Sequence, residues 1–216
     1  MSSNIHSYFI RPRTFNLLKV VYAMGNTIEG NFLYVRAAYN RPKGPYLFMK
    51  YQSTRIVYLN KPISLNKNFQ RDLKKGEQLG ITVNRDLDID FLSYFKSYNT
   101  FLTQRNFAKR KLIYKWFVQI LRSSYVFSAR ISDKQLYTIV VLNCGEYSRY
   151  HFGWNWAEST YQASKVIHSY AMNFLLETGV SIYDLGGLSN NGDGRDKFKH
   201  SIGGENINTY NYFKLC

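Results

Sequence analysis

Hydrophobic and polar residues alternate over several short segments in the first sixty positions, which is the pattern of half-buried β-strands. The segments are Asn31–Tyr39, Tyr46–Tyr51 and Arg55–Leu59. A turn containing proline and glycine separates the first two, and Gln52–Thr54 separates the last two. The pattern predicts three short strands here. The apolar segment Phe15–Met24 is predicted to be a further strand or a short helix.

The period of the apolar positions then changes to that of a helix. Phe69 and Leu73 lie four residues apart in a basic segment that Gly80 follows, which predicts a short helix ended by glycine and leading into a strand. A second helix is predicted downstream, with Asp88 or Asp90 as its N-cap. Its apolar stripe consists of Phe91, Phe95, Tyr98 and Leu102. A third helix, basic and amphipathic, is predicted over roughly Phe107–Leu121.

Three strand-like segments follow, at Ser124–Arg130, Gln135–Asn143 and Tyr147–Trp156. The short links Ser132–Lys134 and Cys144–Glu146 suit β-hairpins. These segments are therefore predicted to form an antiparallel meander.

The last third of the chain combines a helix with two strands. A helix is predicted over Ser159–Glu177, closed by Gly179, and a buried strand follows that includes Asp184. A glycine-rich polar stretch is predicted to be a loop before a final strand, Ile207–Phe213. The order of elements predicts an α/β mixed sheet made from an antiparallel meander and a crossover helix. Ligands bind such sheets at the carboxyl ends of strands.

The composition of the 216 residues, with 45% apolar side chains, indicates a globular chain with a hydrophobic core. We interpret it as a single domain over residues 1–216, with a strand-rich N-terminal part at residues 1–64. Cys144 and Cys216 are too far apart for a zinc motif or a disulfide framework, so we expect a cytoplasmic protein without a metal site. No apolar run is long enough to span a bilayer.

Positive charge is concentrated in two segments of a chain whose net charge is +15. Residues 1–71 contain eleven Lys/Arg and one acid, Glu29, and residues 91–132 contain eight Lys/Arg and no acid. This favours polyanionic partners such as tRNA, coenzyme A phosphates, pyrophosphate-linked sugars or an anionic membrane, although solubility alone is the simpler explanation. The basic segment Arg105–Arg122 has three open interpretations: a contact with tRNA, a contact with a membrane, or a solvated face.

Several motifs together resemble one enzyme family. A helix ends at Glu177–Gly179, the strand Ile182–Gly187 reads IYDLGG, and Phe198-Lys199 precedes Gly203–Glu205. These motifs resemble the C-terminal signature of the FemABX peptidoglycan aminoacyltransferases and their short relatives, which share the GNAT acyltransferase fold. Upstream similarities extend the resemblance to roughly residues 65–205, and we assign residues 65–216 to a FemABX-like region of a GNAT-like fold. The chain has room for one GNAT-like domain, whereas the longer family members have two.

The resemblance implies an acyl- or aminoacyltransferase that forms an amide, or less readily an ester, on an amino sugar or peptide of a cell-envelope precursor. Its co-substrate would be an aminoacyl-tRNA, an acyl-CoA or an acyl carrier protein, with no tightly bound cofactor. The loop by which ordinary GNAT enzymes hold acetyl-CoA is absent from residues 155–164, which makes acetyl-CoA a weaker candidate. Two alternatives stay open: a GNAT N-acyltransferase acting on a small amine or nucleotide sugar, and a non-catalytic RNA-binding module.

The same resemblance assigns the main catalytic role to Lys199. It implies that this lysine stabilises charge developing on the acyl group or binds a donor phosphate, while Phe198 shapes the donor pocket. A solvated lysine beside a core phenylalanine is the alternative. Gly186 and Gly187 follow a buried strand, where backbone amides can approach an acyl oxygen or phosphate because no Cβ is present. A tight turn explains these glycines equally well.

Five further residues are candidates for the site. Asp184 could orient the acceptor amine or accept its proton, although an aspartate at a strand end as often holds the next loop. His151 is a candidate base without an identified partner. Arg195 is a candidate phosphate ligand, and Tyr183 and Trp154 are candidate substrate contacts, with core packing as the alternative for Trp154.

Overall fold

The computed structural model of the chain describes residues 8–10, 20–22, 34–38, 46–107, 111–156, 162–189 and 194–214. The strands found in these residues are β1 (Tyr8–Ile10), β2 (Val20–Tyr22), β3 (Tyr34–Ala38), β4 (Tyr46–Tyr58), β5 (Thr82–Arg85), β6 (Ser124–Ile131), β7 (Lys134–Cys144), β8 (Tyr147–Asn155), β9 (Ile182–Gly187) and β10 (Glu205–Lys214). The helices are α1 (Lys67–Gln78), α2 (Phe91–Gln104), α3 (Tyr114–Arg122), α4 (Ala163–Glu177) and α5 (Gly194–Ser201).

The described strands form one mixed sheet in the order β1-β2-β3-β10-β4-β9-β8-β7-β6-β5. Strands β6, β7 and β8 are an antiparallel meander. Its tight turns place Ser132 at φ 50° and Gly145 at φ 72°, the backbone region that short hairpins need. Helix α4 then crosses over to β9, which pairs with β8 in parallel. The predicted α/β mixed sheet with a meander and a crossover helix is confirmed.

Two hydrophobic cores lie on opposite faces of this sheet, because successive side chains of a strand point to opposite sides. Phe127 and Ile139 belong to the core beneath α1 and α4. Their neighbours Val126 and Val140 belong to the core beneath α2 and α3. The meander strands are therefore covered on both faces.

The helix boundaries follow local signals in the sequence. Asp90 caps α2 by accepting hydrogen bonds from the backbone amides of Leu92 and Ser93 at 3.1 and 3.2 Å. Gly80 follows α1 at φ 72°, as predicted for a helix ended by glycine. In the described residues no helix is long and apolar enough to cross a membrane.

The predicted break at Gln52–Thr54 is wrong, because β4 runs without interruption from Tyr46 to Tyr58. Strand β10 pairs with β4 through this segment, with Gln52 opposite Thr209. On the other side, Thr54 pairs with Gly187 of β9. Partners on both edges keep the polar segment extended.

The predicted loop after β9 is also wrong, because Gly194–Ser201 is a helix. Lys199 and Arg195 therefore lie on α5. The third predicted helix is shorter than expected, since α3 begins at Tyr114 rather than near Phe107. Residues 108–110 lie outside the described part of the chain.

Candidate active site

The sheet opens between β8 and β9. These parallel strands pair only at Tyr147–Arg149 and Ile182–Asp184. Beyond that point β8 continues along β7, and β9 continues along β4 to Gly187. The carboxyl ends of both strands thus border a gap, which is where open α/β sheets bind ligands.

Asp184 lies at the closed end of this gap. Its fully buried carboxylate pairs with Arg149, whose Nη1 is 3.3 Å from Oδ2. Tyr147 donates a hydrogen bond to Oδ2 at 2.5 Å, and Thr54 and the amide of Gly186 donate to Oδ1, the latter at 2.7 Å. One carboxylate thereby joins β4, β8 and β9. These contacts favour a structural role for Asp184 in joining the three strands, and proton acceptance by Asp184 stays a prediction.

The two glycines at the end of β9 differ in backbone conformation and in surroundings. Gly186 has φ 82°, a left-handed backbone that favours glycine, and its amide is engaged by Asp184. A Cβ on Gly187 would overlap the side-chain amide of Gln52 on β4. A side chain at position 187 would thus require Gln52 to move, and donation by either amide to a ligand stays a prediction.

Helix α5 returns Lys199 to the end of β9. The Nζ of Lys199 donates to the carbonyl oxygen of Gly187 at 2.5 Å. A Cβ on Gly186 would lie 3.8 Å from the same Nζ. The first turn of α5 is held by the buried Asp196, which accepts hydrogen bonds from the amide and hydroxyl of Ser189 at 3.1 and 2.7 Å. The lysine is thus anchored where β8 and β9 have separated.

Burial lowers the pKa of Lys199 to about 8. Asp184 and Asp196 raise this pKa, while Arg149 and Arg195 lower it further. The amine is therefore mostly charged at neutral pH but close to its titration range. An amine in this state can stabilise an oxyanion or take part in proton transfer.

A histidine–tyrosine pair is buried near Lys199. The Tyr183 hydroxyl and Nδ1 of His168 lie 3.0 Å apart, and both side chains are fully buried. Burial and the nearby Lys165 and Lys199 lower the pKa of His168 to about 3, so the imidazole is neutral. Phe198 packs against it, with ring centroids 5.1 Å apart. Tyr183 is thus a core residue, and its contact with a substrate stays a prediction.

A fully buried lysine, Lys165 on α4, holds the other end of α5. Its side chain is 1% exposed, and Nζ donates to the hydroxyl of Ser201 at 3.2 Å. The same Nζ lies 4.2 Å from the centroid of the Phe198 ring. Burial lowers the pKa of Lys165 to about 8, and the charge of Asp72 opposes the shift.

Three other predicted site residues lie in different surroundings. His151 is on β8 at a register shift opposite Val140 and Val141, with its ring centroid 5.0 Å from that of Phe152. Trp154 is fully buried beneath α2 and α3, which is the core packing given as its alternative. Arg195 is exposed on α5 and is near enough to Lys199 to lower its pKa.

Sequence reasoning misses three charged or polar side chains that surround the site: Arg149, Lys165 and His168. Arg149 lies on β8, Lys165 and His168 lie on α4, and all three are buried. A charged residue at a core position is rarely buried without a partner. No local pattern in the sequence marks these three residues, because their partners lie on β9 and α5.

The meander, the crossover helix and the separated parallel strands make up one mixed α/β fold. No protein-family model matches the sequence, and no curated protein matches it significantly. Solved structures share the fold at low identity. The C-terminal domain of a protein assigned as a lysylphosphatidylglycerol synthetase from Agrobacterium fabrum has a TM-score of 0.63 and 10% identity, over 97% of this chain and 84% of that one.

Two further solved structures share this fold with the chain. L-PGS from Bacillus licheniformis has a TM-score of 0.59 and 10% identity, over 97% of this chain and 80% of that one. FemX has a TM-score of 0.60 and 14% identity, over 84% of this chain and 66% of that one. The fold expected from the FemABX-like motifs is therefore confirmed.

Proposed function

We propose that this protein is an acyl- or aminoacyltransferase that forms an amide, or less readily an ester, on an amino sugar or peptide of a cell-envelope precursor. The observation that carries the proposal is the half-buried amine of Lys199, hydrogen-bonded to Gly187 at the opening between β8 and β9. The fold that the chain shares with FemX and L-PGS supports this assignment.

In the proposed reaction the acceptor amine attacks the carbonyl carbon of the donor ester or thioester. The bond from that carbon to the donor oxygen or sulfur breaks, and the amine's proton passes to the leaving group, directly or through water. Negative charge develops on the carbonyl oxygen in the transition state. The Lys199 cation, kept in place by Gly187 and by the anchored α5, is proposed to stabilise that charge.

The proposed donor is polyanionic, because the net charge of +15 favours such partners. An aminoacyl-tRNA is the first choice, and acyl-CoA and acyl carrier protein are the alternatives. The acceptor would be free or attached to a pyrophosphate-linked sugar. We propose a cytoplasmic reaction by a single-domain enzyme, at the inner face of the membrane when the acceptor is lipid-linked.

The test compares three proteins in one assay. Wild type, Lys199→Met and the control Lys197→Met are incubated with charged tRNAs, acyl-CoAs or acylated carrier protein and with amino-sugar and peptide acceptors, and new amides are detected by mass spectrometry. Lys197 is an exposed neighbour on α5. We expect Lys199→Met to lower kcat by about 10² or more, with Lys197→Met close to wild type and all three proteins folded.

Equal turnover by wild type and Lys199→Met would exclude the assigned role of the lysine. Acylation of only a small amine or nucleotide sugar by acyl-CoA or carrier protein would favour the GNAT N-acyltransferase alternative. Tight RNA binding with a steep salt dependence, and no transfer from any donor, would instead indicate an RNA-binding module.

A further inference from the structure

An apolar and basic surface lies over α2 and α3, on the opposite face of the sheet from α1 and α4. Four large apolar side chains are exposed there: Leu87, Leu92, Ile113 and Tyr114 expose 75%, 52%, 58% and 44% of their area. Exposed apolar side chains that lie singly need no explanation, but a group of them beside one pair of helices indicates an interaction surface.

Cations accompany these apolar side chains. Among the described residues of α2, α3 and their connection, the exposed basic ones are Lys96, Arg105, Lys111, Lys115 and Arg122. We call these five and the four apolar residues the α2–α3 surface. On α2, Leu92 and Lys96 are one turn apart and lie on the side away from the buried Tyr94 and Tyr98.

The acidic residues nearest to these helices in the sequence precede α2. Asp88 and Asp90 precede α2, and Asp90 is engaged as the N-cap of that helix. From residue 91 to residue 132 the sequence contains no acid. The charge facing outward along both helices is therefore positive.

A depression of about 570 Å³ lies between the two helices. Its lining combines Phe91, Tyr114 and Val118 with Lys115 and Arg122. The guanidinium of Arg122 sits 5.2 Å from the centroid of the Phe91 ring. The depression is thus lined by both apolar and cationic side chains.

We propose that the α2–α3 surface binds an anionic lipid bilayer. Aliphatic and aromatic side chains would enter the boundary between headgroups and acyl chains, while lysine and arginine contact the anionic headgroups. RNA would also use the cations, but its phosphates gain nothing from exposed Leu87, Leu92 and Ile113. The aliphatic side chains therefore favour a bilayer over RNA.

The experiment measures sedimentation of the full chain with vesicles of phosphatidylcholine alone or mixed with phosphatidylglycerol. We expect wild type to bind only the mixed vesicles. The variant Leu92→Ser/Ile113→Ser should weaken binding at least about tenfold, and Lys111→Gln/Lys115→Gln about fivefold per lysine.

Matched controls come from the other face of the sheet. Leu79 and Leu176 are 50% and 47% exposed, and Lys74 and Lys75 are exposed on α1. Leu79→Ser/Leu176→Ser and Lys74→Gln/Lys75→Gln should bind vesicles as wild type does. Circular dichroism verifies that every variant is folded.

Three outcomes would overturn the proposal. In the first, wild type does not bind the mixed vesicles. In the second, Leu92→Ser/Ile113→Ser binds them as well as wild type does. In the third outcome, a structured RNA binds the protein and displaces the vesicles, and only the lysine substitutions weaken its binding. That result would assign the surface to RNA. The biological setting rests on the proposed function, but vesicle binding is measured without catalysis, so the two proposals can fail separately.

Discussion

Burial and charge act on Lys199 in opposite directions. Loss of hydration lowers its pKa to about 8, while the carboxylates of Asp184 and Asp196 keep it from falling further. Because the unfolded state then binds more protons between about pH 8 and 10.5, this lysine contributes stability that rises with pH across that interval. A cationic catalytic role is instead favoured at lower pH, because the charged form of the lysine predominates only below the folded-state pKa.

The first prediction concerns the pH profile of acyl transfer. If the Lys199 cation stabilises the transition state, kcat should decline as pH rises through about 8, the pKa of this lysine. In Lys199→Arg the guanidinium stays charged, so the decline should disappear even though the maximal rate is lower. Rates measured at saturating substrate between about pH 6.5 and pH 10, a range that brackets the titration, check this prediction.

Lys165 provides the control for that profile because burial lowers its pKa to about 8 as well. Lys165→Met should keep the alkaline decline, since this amine contacts Ser201 and Phe198. A pH profile that becomes flat in Lys165→Met but not in Lys199→Arg would assign the titration to Lys165 and contradict the role proposed for Lys199.

At the scale of elements, α5 is fixed at both ends by buried charged groups. Asp196 joins its first turn to Ser189, and Lys165 joins its last residue, Ser201, to α4. The helix has only eight residues and begins at a glycine, so its own propensity to form is weak. Tertiary contacts therefore determine where Lys199 lies.

The second prediction concerns the turn between α5 and β10. Gly204 has φ 80°, and a Cβ there would overlap the carbonyl oxygen of Ile56 on β4. Gly80 has φ 72° with no atom within 4 Å of a Cβ, so Gly80→Ala introduces backbone strain alone. Gly204→Ala should lower the free energy of unfolding by at least about 2 kcal/mol more than Gly80→Ala. Urea denaturation of both variants measures the difference, and equal losses would contradict the predicted clash.

At the scale of the whole molecule, Asp184 joins the two halves of the sheet. The half that contains β4 and β10 meets the meander at the short pairing of β8 with β9. There the carboxylate accepts from Thr54 of β4 and Tyr147 of β8 and pairs with Arg149.

The third prediction follows from that position. Asp184→Asn should lower the free energy of unfolding by about 3 to 5 kcal/mol, because the buried guanidinium of Arg149 loses its counter-charge. Asp88→Asn, at an exposed aspartate, is the control and should change little. The double variant Asp184→Asn/Arg149→Met should recover part of the loss. Additive losses in chemical denaturation would show that the two side chains do not stabilise each other.

Periodicity predicts much of this fold because local patterns determine it. The meander, α1, α2, α4 and β9 each have an apolar repeat or a capping residue that matches the observed element. The continuous β4 could not be predicted, because its central polar residues are kept extended by β9 and β10, which are far away in sequence. The family motifs predict Lys199 as a site residue and the end of the strand predicts Asp184, but neither points to Arg149, Lys165 or His168.

The sequence by itself determined the order of elements apart from α5, the burial of β9 and the excess of positive charge, since each depends on neighbouring residues. Only the tertiary structure decided what surrounds the amine of Lys199. Its lowered pKa, its bond to Gly187 and the tethers of α5 arise from β9, α4 and α5 meeting in space. Desolvation and hydrogen bonding depend on those distant neighbours, and no local pattern records them.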